Sequence, residues 1–279
     1  LGATVEFMTP REIQAQYGCH QQIVGGGWLR LKAGQVTDDT GMSLALGAAI
    51  LAQGEVEAGA AARAFDAWMR TKPVDIGNTV RRGILNFRLT GSPVSPPSEH
   101  DAGNGAAMRV LPVALATFGA THAEVAHACR AQAHVTHHNP LSDAACECLA
   151  DMLHLALAGA AKSALLLRAR ELVQRYPVFA FESGRSRQNP SGFIVDTLQA
   201  VFQAFFGQSD CRAILVDVVN RGGDADTTGA IAGMLAGALY GPADLPADWL
   251  RRLDTDTASA CRTQAHALLA LAAPAALSA

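Results

Sequence analysis

The chain has 279 residues, 49% apolar and only 17% charged, which is enough material for a core and too little charge for disorder. A net charge of −3 and the lack of any Lys/Arg run exclude the electrostatic footprint of a nucleic-acid or anionic-lipid binder, and point to a small ligand or a protein partner. The most apolar stretch, Gly229 to Gly241, is shorter than the roughly 18 residues of a membrane span, so no direct membrane insertion is expected.

In chain order, the sequence starts at Leu1 rather than Met, and the expectation is that part of the natural N-terminus precedes it. Gly25-Gly26-Gly27 reads as a loop. Thr37-Asp38-Asp39-Thr40-Gly41 then opens a helix of small residues, MSLALGAAIL. Asp75 lies in a turn between Pro73 and Gly77, just before another helix, and Gly91 to Ser98 is a Pro-rich loop. Gly103 to Ala107 forms a turn of small residues before the next helical stretch.

Apolar residues at three- and four-residue spacing mark a helix from Leu141 through Ala144, Ala145, Cys148, Leu149, Met152 and Leu153. A second stripe comprises Val195, Leu198, Val201, Phe202 and Phe205. A loop from Ser183 to Gly192 precedes it, and Arg221-Gly222-Gly223 follows. Asp224-Ala225-Asp226-Thr227-Thr228-Gly229 then echoes the first acidic cluster and opens a helix in which Gly229, Gly233 and Gly237 leave a smooth face for another backbone. The last helix runs from Ala258 and is expected to be interrupted near Pro274.

Alternating strand patterns are absent, so the fold class is all-α. No segment has the composition of an interdomain linker, and one compact domain spanning 1–279 is expected, with the two Asp/Thr helices packed centrally and their starts brought together. The six cysteines, Cys19, Cys129, Cys146, Cys148, Cys211 and Cys261, show no CxxC spacing and read as small buried hydrophobes in a reducing, cytoplasmic compartment.

An Asp or Thr at a helix start has an ordinary explanation, because its oxygen caps backbone amides and its charge suits the helix dipole. One cap needs one side chain. Asp38 and Asp39 are adjacent, Asp224 and Asp226 sit two apart, and crowding like charges at a helix end costs free energy unless a cation compensates. Carboxylate and hydroxyl oxygens are hard donors, suited to Mg²⁺ or Mn²⁺, and four carboxylates can neutralise two such ions. The pattern therefore predicts a dinuclear metal cleft.

The motifs TDDTG and GGDADTTGAIAG, paired across most of the chain, resemble those of the ADP-ribosylglycohydrolase family. Glu6 in LGATVEF, Asp75 and Asn78 in KPVDIGNTVRRG, Gly103 to Arg109 in GNGAAMR, and Thr136-His137 fall between them in family order. The resemblance implies a single multi-helix domain with two Mg²⁺ or Mn²⁺ ions in a central cleft, held by Thr37, Asp38, Asp39, Asp224, Asp226 and Thr227. Where the family's opening motif reads GDALG, this chain retains Leu1-Gly2.

The resemblance also bears on residues whose own surroundings have ordinary readings. Asp75 alone reads as a helix cap and becomes the expected proton-transferring carboxylate. Glu6 and Glu99 alone read as solvated glutamates; Glu6 would then sit on a mobile loop over the metals and gate the site or activate water. Gly103, Asn104, Gly105 and Ala106 offer amides that suit a pyrophosphate but equally an ordinary tight turn. Gly222 and Gly223 would let a ligand approach the backbone, and His137 belongs to the cleft wall or to packing.

The expected reaction is hydrolysis of the N-glycosidic bond between ADP-ribose and a protein arginine. Segments such as VGGGWLRLKAGQVTDDTGMSLALG look most like bacterial members that act on dinitrogenase reductase, a group that also answers to a PII-type protein and is recruited peripherally to a membrane through a partner. Hydrolysis of serine-linked or poly(ADP-ribose), a metal-dependent phosphohydrolase, and a catalytically silent ADP-ribose-binding relative remain as alternatives.

Overall fold

A computed structural model of the chain describes residues 1–100, 102–182 and 184–276. Ser183, at the head of one expected loop, lies outside the described residues. The α-helices are α1 (Pro10–Tyr17), α2 (Asp38–Gln53), α3 (Ala58–Arg70), α4 (Asn78–Thr90), α5 (Leu111–Ala116), α6 (His122–Ala133), α7 (Pro140–Leu157), α8 (Lys162–Arg175), α9 (Ile194–Gly207), α10 (Cys211–Asn220), α11 (Ala225–Tyr240), α12 (Ala247–Leu250) and α13 (Thr255–Ala276). There is no strand among the described residues, only isolated bridges such as the antiparallel one between Gly26 and Leu31, and the class is all-α as expected. The helix α13 continues to Ala276, past the interruption expected near Pro274. No helix among the described residues is long and apolar enough to cross a membrane.

Local chemistry explains many of the helix boundaries. Thr9 and Glu12 close a capping box on α1, and Thr121 and Glu124 do the same on α6. Glu57 caps two amides of α3, and Asp210 caps α10. Gly54 and Gly91 end α2 and α4 in the left-handed conformation, which carries little penalty for glycine.

The chain divides into two compact units. The first comprises Leu1–Val36 and Leu155–Thr255. Its centre is α11, packed on α9 and α10, with the short 3₁₀ turn Gly2–Thr4 against its start. The apolar stripe expected from Val195 to Phe205 is fully buried on α9. The glycine face of α11 differs from expectation: a side chain at Gly229 or Gly233 would meet Val219 Cγ1 or Leu215 Cδ2 of α10, so the smooth face receives side chains rather than a second backbone.

The second unit comprises Thr37–His154 and Asp256–Ala279. Here α2 packs on α3 and α5, while α3 also meets α4 and α6. On α7 the expected residues Ala144, Ala145, Cys148, Leu149, Met152 and Leu153 are buried, and Leu141 is half-buried. All six cysteines are free; four are buried as expected, but Cys19 and Cys261 are exposed.

Candidate metal and active site

In the first unit the acidic cluster is built by the N-terminal turn. Gly2 lies so close to α11 that a β-carbon there would stand 2.1 Å from the Ala225 carbonyl oxygen. Only glycine permits that approach, and it delivers Glu6 to the start of α11. Carboxylate oxygens of Glu6, Asp224 and Asp226 all lie within 4.8 Å of one another. Glu6 is 5% exposed and Asp226 8%, with Thr227 buried beside them and Asp224 half-buried.

Two further bonds fix this arrangement. The Phe7 amide donates to the Gly223 carbonyl at 2.7 Å, and the Gly223 amide donates back to the Met8 carbonyl at 2.9 Å. The glycines of the Gly222-Gly223 pair are required by the chain itself. A β-carbon at Gly222 would lie 2.2 Å from Met8 O and one at Gly223 2.1 Å from Pro190 O, and both have positive φ, 71° and 65°. Trp28, which the sequence reading passes over, donates its indole Nε1–H to Glu6 Oε2 at 2.8 Å. The signal for it was three glycines before a lone aromatic: Gly25, Gly26 and Gly27 all have positive φ and lead into the tight turn 27–30, closed by the Gly26–Leu31 bridge, that carries the indole.

In the second unit Thr37 is the N-cap residue of α2, and Thr37, Asp38 and Asp39 are all buried. Thr37 Oγ1 donates to Asp39 Oδ2 at 2.8 Å, and the Gly77 amide donates to Asp38 Oδ2 at 3.2 Å. Carboxylate oxygens of Asp38 and Asp39 approach within 4.8 Å.

The ordinary capping explanation does not account for either set. Thr9, Glu57, Thr121 and Asp210 all place a side-chain oxygen on their own helix's amides, whereas Thr37 and Asp224, the N-cap residues of α2 and α11, do not. Each unit thus gathers buried hard oxygen donors beyond the needs of its helix, a donor set that suits Mg²⁺ or Mn²⁺ better than zinc. The residues present fit such ions.

The remaining expected site residues sit around the second unit's acidic pair. Asp75 is half-buried in the turn that Gly77 fastens to Asp38, and Asn78 is the exposed first residue of α4. Glu99 is exposed and lines a recess of about 750 Å³ with Ser98, His138, Asn139, Leu141 and Asp143. Gly103 is a bridge residue, Asn104 a bend and Gly105 and Ala106 the start of a turn, with Asn104 and Ala106 buried and the Asn104 carbonyl accepting the Met108 amide at 3.0 Å. The helix expected just beyond begins only at Leu111.

His137 is buried, and a β-carbon at Gly105 would stand 2.7 Å from its ring, so this glycine makes room for the imidazole. Its Nδ1 pairs with Thr136 Oγ1 at 2.7 Å. Arg109, the last residue of the GNGAAMR motif, is wholly buried. Its guanidinium donates to Gln132 Oε1, to the Gln132 carbonyl and to Thr136 Oγ1, and stacks on Phe65 at 4.3 Å. Burial pulls its pKa down to about 9, which leaves it charged at neutral pH. The same burial, with Arg109 and Arg82 nearby, holds His137 down to about 3 and therefore neutral.

Sequence and fold comparisons show what the chain is similar to. A chain 50% identical over 272 residues, spanning 98% of this protein and 92% of the relative, is the ADP-ribosyl-[dinitrogen reductase] glycohydrolase of Rhodospirillum rubrum. ADP-ribosylarginine hydrolase Tri1 of Pseudomonas putida (strain GB-1) is 32% identical over 268 residues, covering 91% of this chain and 70% of that one. A solved structure described as an ADP-ribosylglycohydrolase-related protein complex superposes with a TM-score of 0.84 at 32% identity, over 98% of this chain and 93% of its own. The family model for ADP-ribosylglycohydrolase matches residues 1–276, so with acidic helix starts that leave their own helices uncapped goes a plain assignment: the chain belongs to the ADP-ribosylglycohydrolase family.

Proposed function

We propose that this protein hydrolyses the N-glycosidic bond between C1 of an ADP-linked ribose and a guanidino nitrogen of a protein arginine, and that its physiological substrate is arginine-ADP-ribosylated dinitrogenase reductase. The observation that carries the reading is the burial of acidic side chains at two helix starts, Asp38 with Asp39 and Asp226 with Glu6, in a member of this family. The specific linkage and target follow the activities for which the Rhodospirillum rubrum and Pseudomonas putida relatives are named. A PII-type partner and peripheral membrane recruitment rest on the resemblance alone and form no part of the proposal.

The residues that would hold divalent cations, Mn²⁺ or Mg²⁺, are Thr37, Asp38 and Asp39 of the second unit and Asp224, Asp226 and Thr227 of the first, whose four carboxylates carry the charge to offset two such ions. When bound, such ions offset the crowded charge, orient ribose hydroxyls and make a water acidic enough to attack C1. The protein's own groups do the rest. A guanidine leaves poorly as an anion, so its nitrogen must depart protonated, and Asp75 is the carboxyl we assign to supply that proton. Glu6, held by the Trp28 indole, receives or orients the attacking water's proton, and Glu99 is a second candidate for proton transfer. Asn78, the turn Gly103, Asn104, Gly105 and Ala106, and the neutral ring of His137 would contact ADP-ribose.

Incubation with an arginine-ADP-ribosylated protein and Mn²⁺ should release ADP-ribose and unmodified arginine, and chelation should stop it. Release of AMP or phosphate, or turnover of serine-linked substrate alone, would reject the assignment.

A further inference from the structure

Beside the acidic cluster of the first unit lies a recess of about 660 Å³ whose lining includes Thr4, Glu6, Phe7, Glu12, Tyr17 and Trp28. Phe7 is 63% exposed and Trp28 54%, and their rings stand 5.4 Å apart between centroids with a 45° tilt. Two large aromatic side chains side by side in water form an apolar plate that folding does not require. The plate is nevertheless held in place by several independent devices.

Phe7 adopts a φ of 62°, a left-handed conformation that is costly for a bulky side chain, and the paired bonds with Gly223 hold it there. Trp28 is fixed by its bond to Glu6 and by the turn 27–30, in which a β-carbon at Gly27 would lie 2.6 Å from the Ala3 carbonyl oxygen. The plate and Glu6 are therefore one rigid assembly, with Glu6 reaching the cluster of Asp224 and Asp226.

Charge decides what would occupy it. The residues lining the recess include two carboxylates, Glu6 and Glu12, and no basic side chain. Glu12 is kept ionised by bonds from the Thr9 amide and hydroxyl. Such a wall repels a pyrophosphate and gives a neutral adenine no electrostatic advantage. A guanidinium, planar and cationic, gains both from the aromatic faces and from the carboxylates. We propose that Phe7 and Trp28, with Glu6 and Glu12, form the subsite that grips the target arginine and so sets the preference for an arginine over an uncharged acceptor. This inference rests on the arginine-linked reading above and deepens it.

The test compares Trp28→Ala, Trp28→Phe and Phe7→Leu with the wild type, after circular dichroism has shown each to be folded. Steady-state kinetics on an arginine-ADP-ribosylated protein are run alongside titration calorimetry with agmatine, a free guanidinium, and with ADP-ribose. For Trp28→Ala the KM and the agmatine Kd should both rise about tenfold, the scale of one lost cation–aromatic contact, with ADP-ribose affinity nearly unchanged, while kcat falls with the loss of the bond to Glu6. Trp28→Phe should recover most of the loss in KM and agmatine affinity but not the bond to Glu6. Phe7→Leu, which leaves the Trp28–Glu6 bond in place, should show a smaller shift of the same kind.

Weakened ADP-ribose binding in Trp28→Ala would mean that the plate stacks the adenine and would overturn the inference. So would a fall in kcat alone, which would reduce Trp28 to a support for Glu6. Agmatine binding needs no turnover, so a wild type inactive on arginine-linked substrate would sink the proposed activity while agmatine still tested the subsite.

Discussion

The amide of Gly77 donates to Asp38 Oδ2 at 3.2 Å, fastening the turn that carries Asp75 to one of the two buried carboxylates at the start of α2. A proton donor must keep a fixed relation to the reacting bond, and this bond supplies a restraint for Asp75. Glu99 is placed differently, exposed on a loop at the rim of a separate recess.

The two carboxylates should therefore separate in kinetics. Asp75→Asn removes the titrating group with little change of shape and should lower kcat by roughly 10²- to 10⁴-fold, the usual worth of a positioned general acid, while KM stays near its wild-type value. Glu99→Gln should leave kcat within about twofold, since Glu99 is exposed on a loop and is only the second candidate for the transfer. Stopped-time assays on arginine-ADP-ribosylated protein measure both; the reverse order would move the proton-transfer role to Glu99.

Asp226 offers a test that needs no substrate. In metal-free protein it shares a 4.8 Å neighbourhood with the carboxylates of Glu6 and Asp224, and like charges at that spacing repel. Asp226→Asn should hold or raise the melting temperature of chelator-treated protein. Saturating Mn²⁺ should stabilise the wild type through mass action, by about 2.7 kcal/mol at a hundredfold excess over Kd, and should stabilise the variant far less. Scanning calorimetry with and without metal reads the difference. A variant less stable than wild type in chelator, with an equal metal response, would make Asp226 a structural residue.

Much of this was legible in the sequence because helix periodicity and charge crowding are local signals. The stripe on α9 and the buried run on α7 follow directly from apolar spacing, and two acidic residues at each of two helix starts are more than capping requires. What stayed hidden depends on contacts distant along the chain. The glycines of α11 gave no sign that Val219 and Leu215 would fill their face, because the same spacing serves a side chain or a backbone. Trp28 was one aromatic in a glycine-rich loop until the bond to Glu6, 22 residues earlier, gave it a place. Arg109 read as part of a motif, and only its complete burial on Phe65 shows that it organises Gln132 and Thr136.

Burial of His137, with Arg109 beside it, also contributes to how the protein responds to acid. Burial is the largest influence on this imidazole, and the positive charges of Arg109 and Arg82 add to it, holding its pKa near about 3 against an ordinary 6.5. The unfolded chain thus takes up a proton at His137 around pH 6.5 that the folded protein refuses until about pH 3. The resulting stability is fully present above the unfolded pKa and is lost as pH falls through that window, at a limiting slope of about 1.4 kcal/mol per pH unit. His137→Gln, which keeps a polar partner for Thr136, should flatten the acid side of the stability profile by that amount, whatever it does to stability at neutral pH. Urea unfolding of both proteins between about pH 7 and about pH 4 measures the two slopes. Parallel slopes would mean that His137 takes its proton inside the fold, and would place an anion beside it that offsets Arg109.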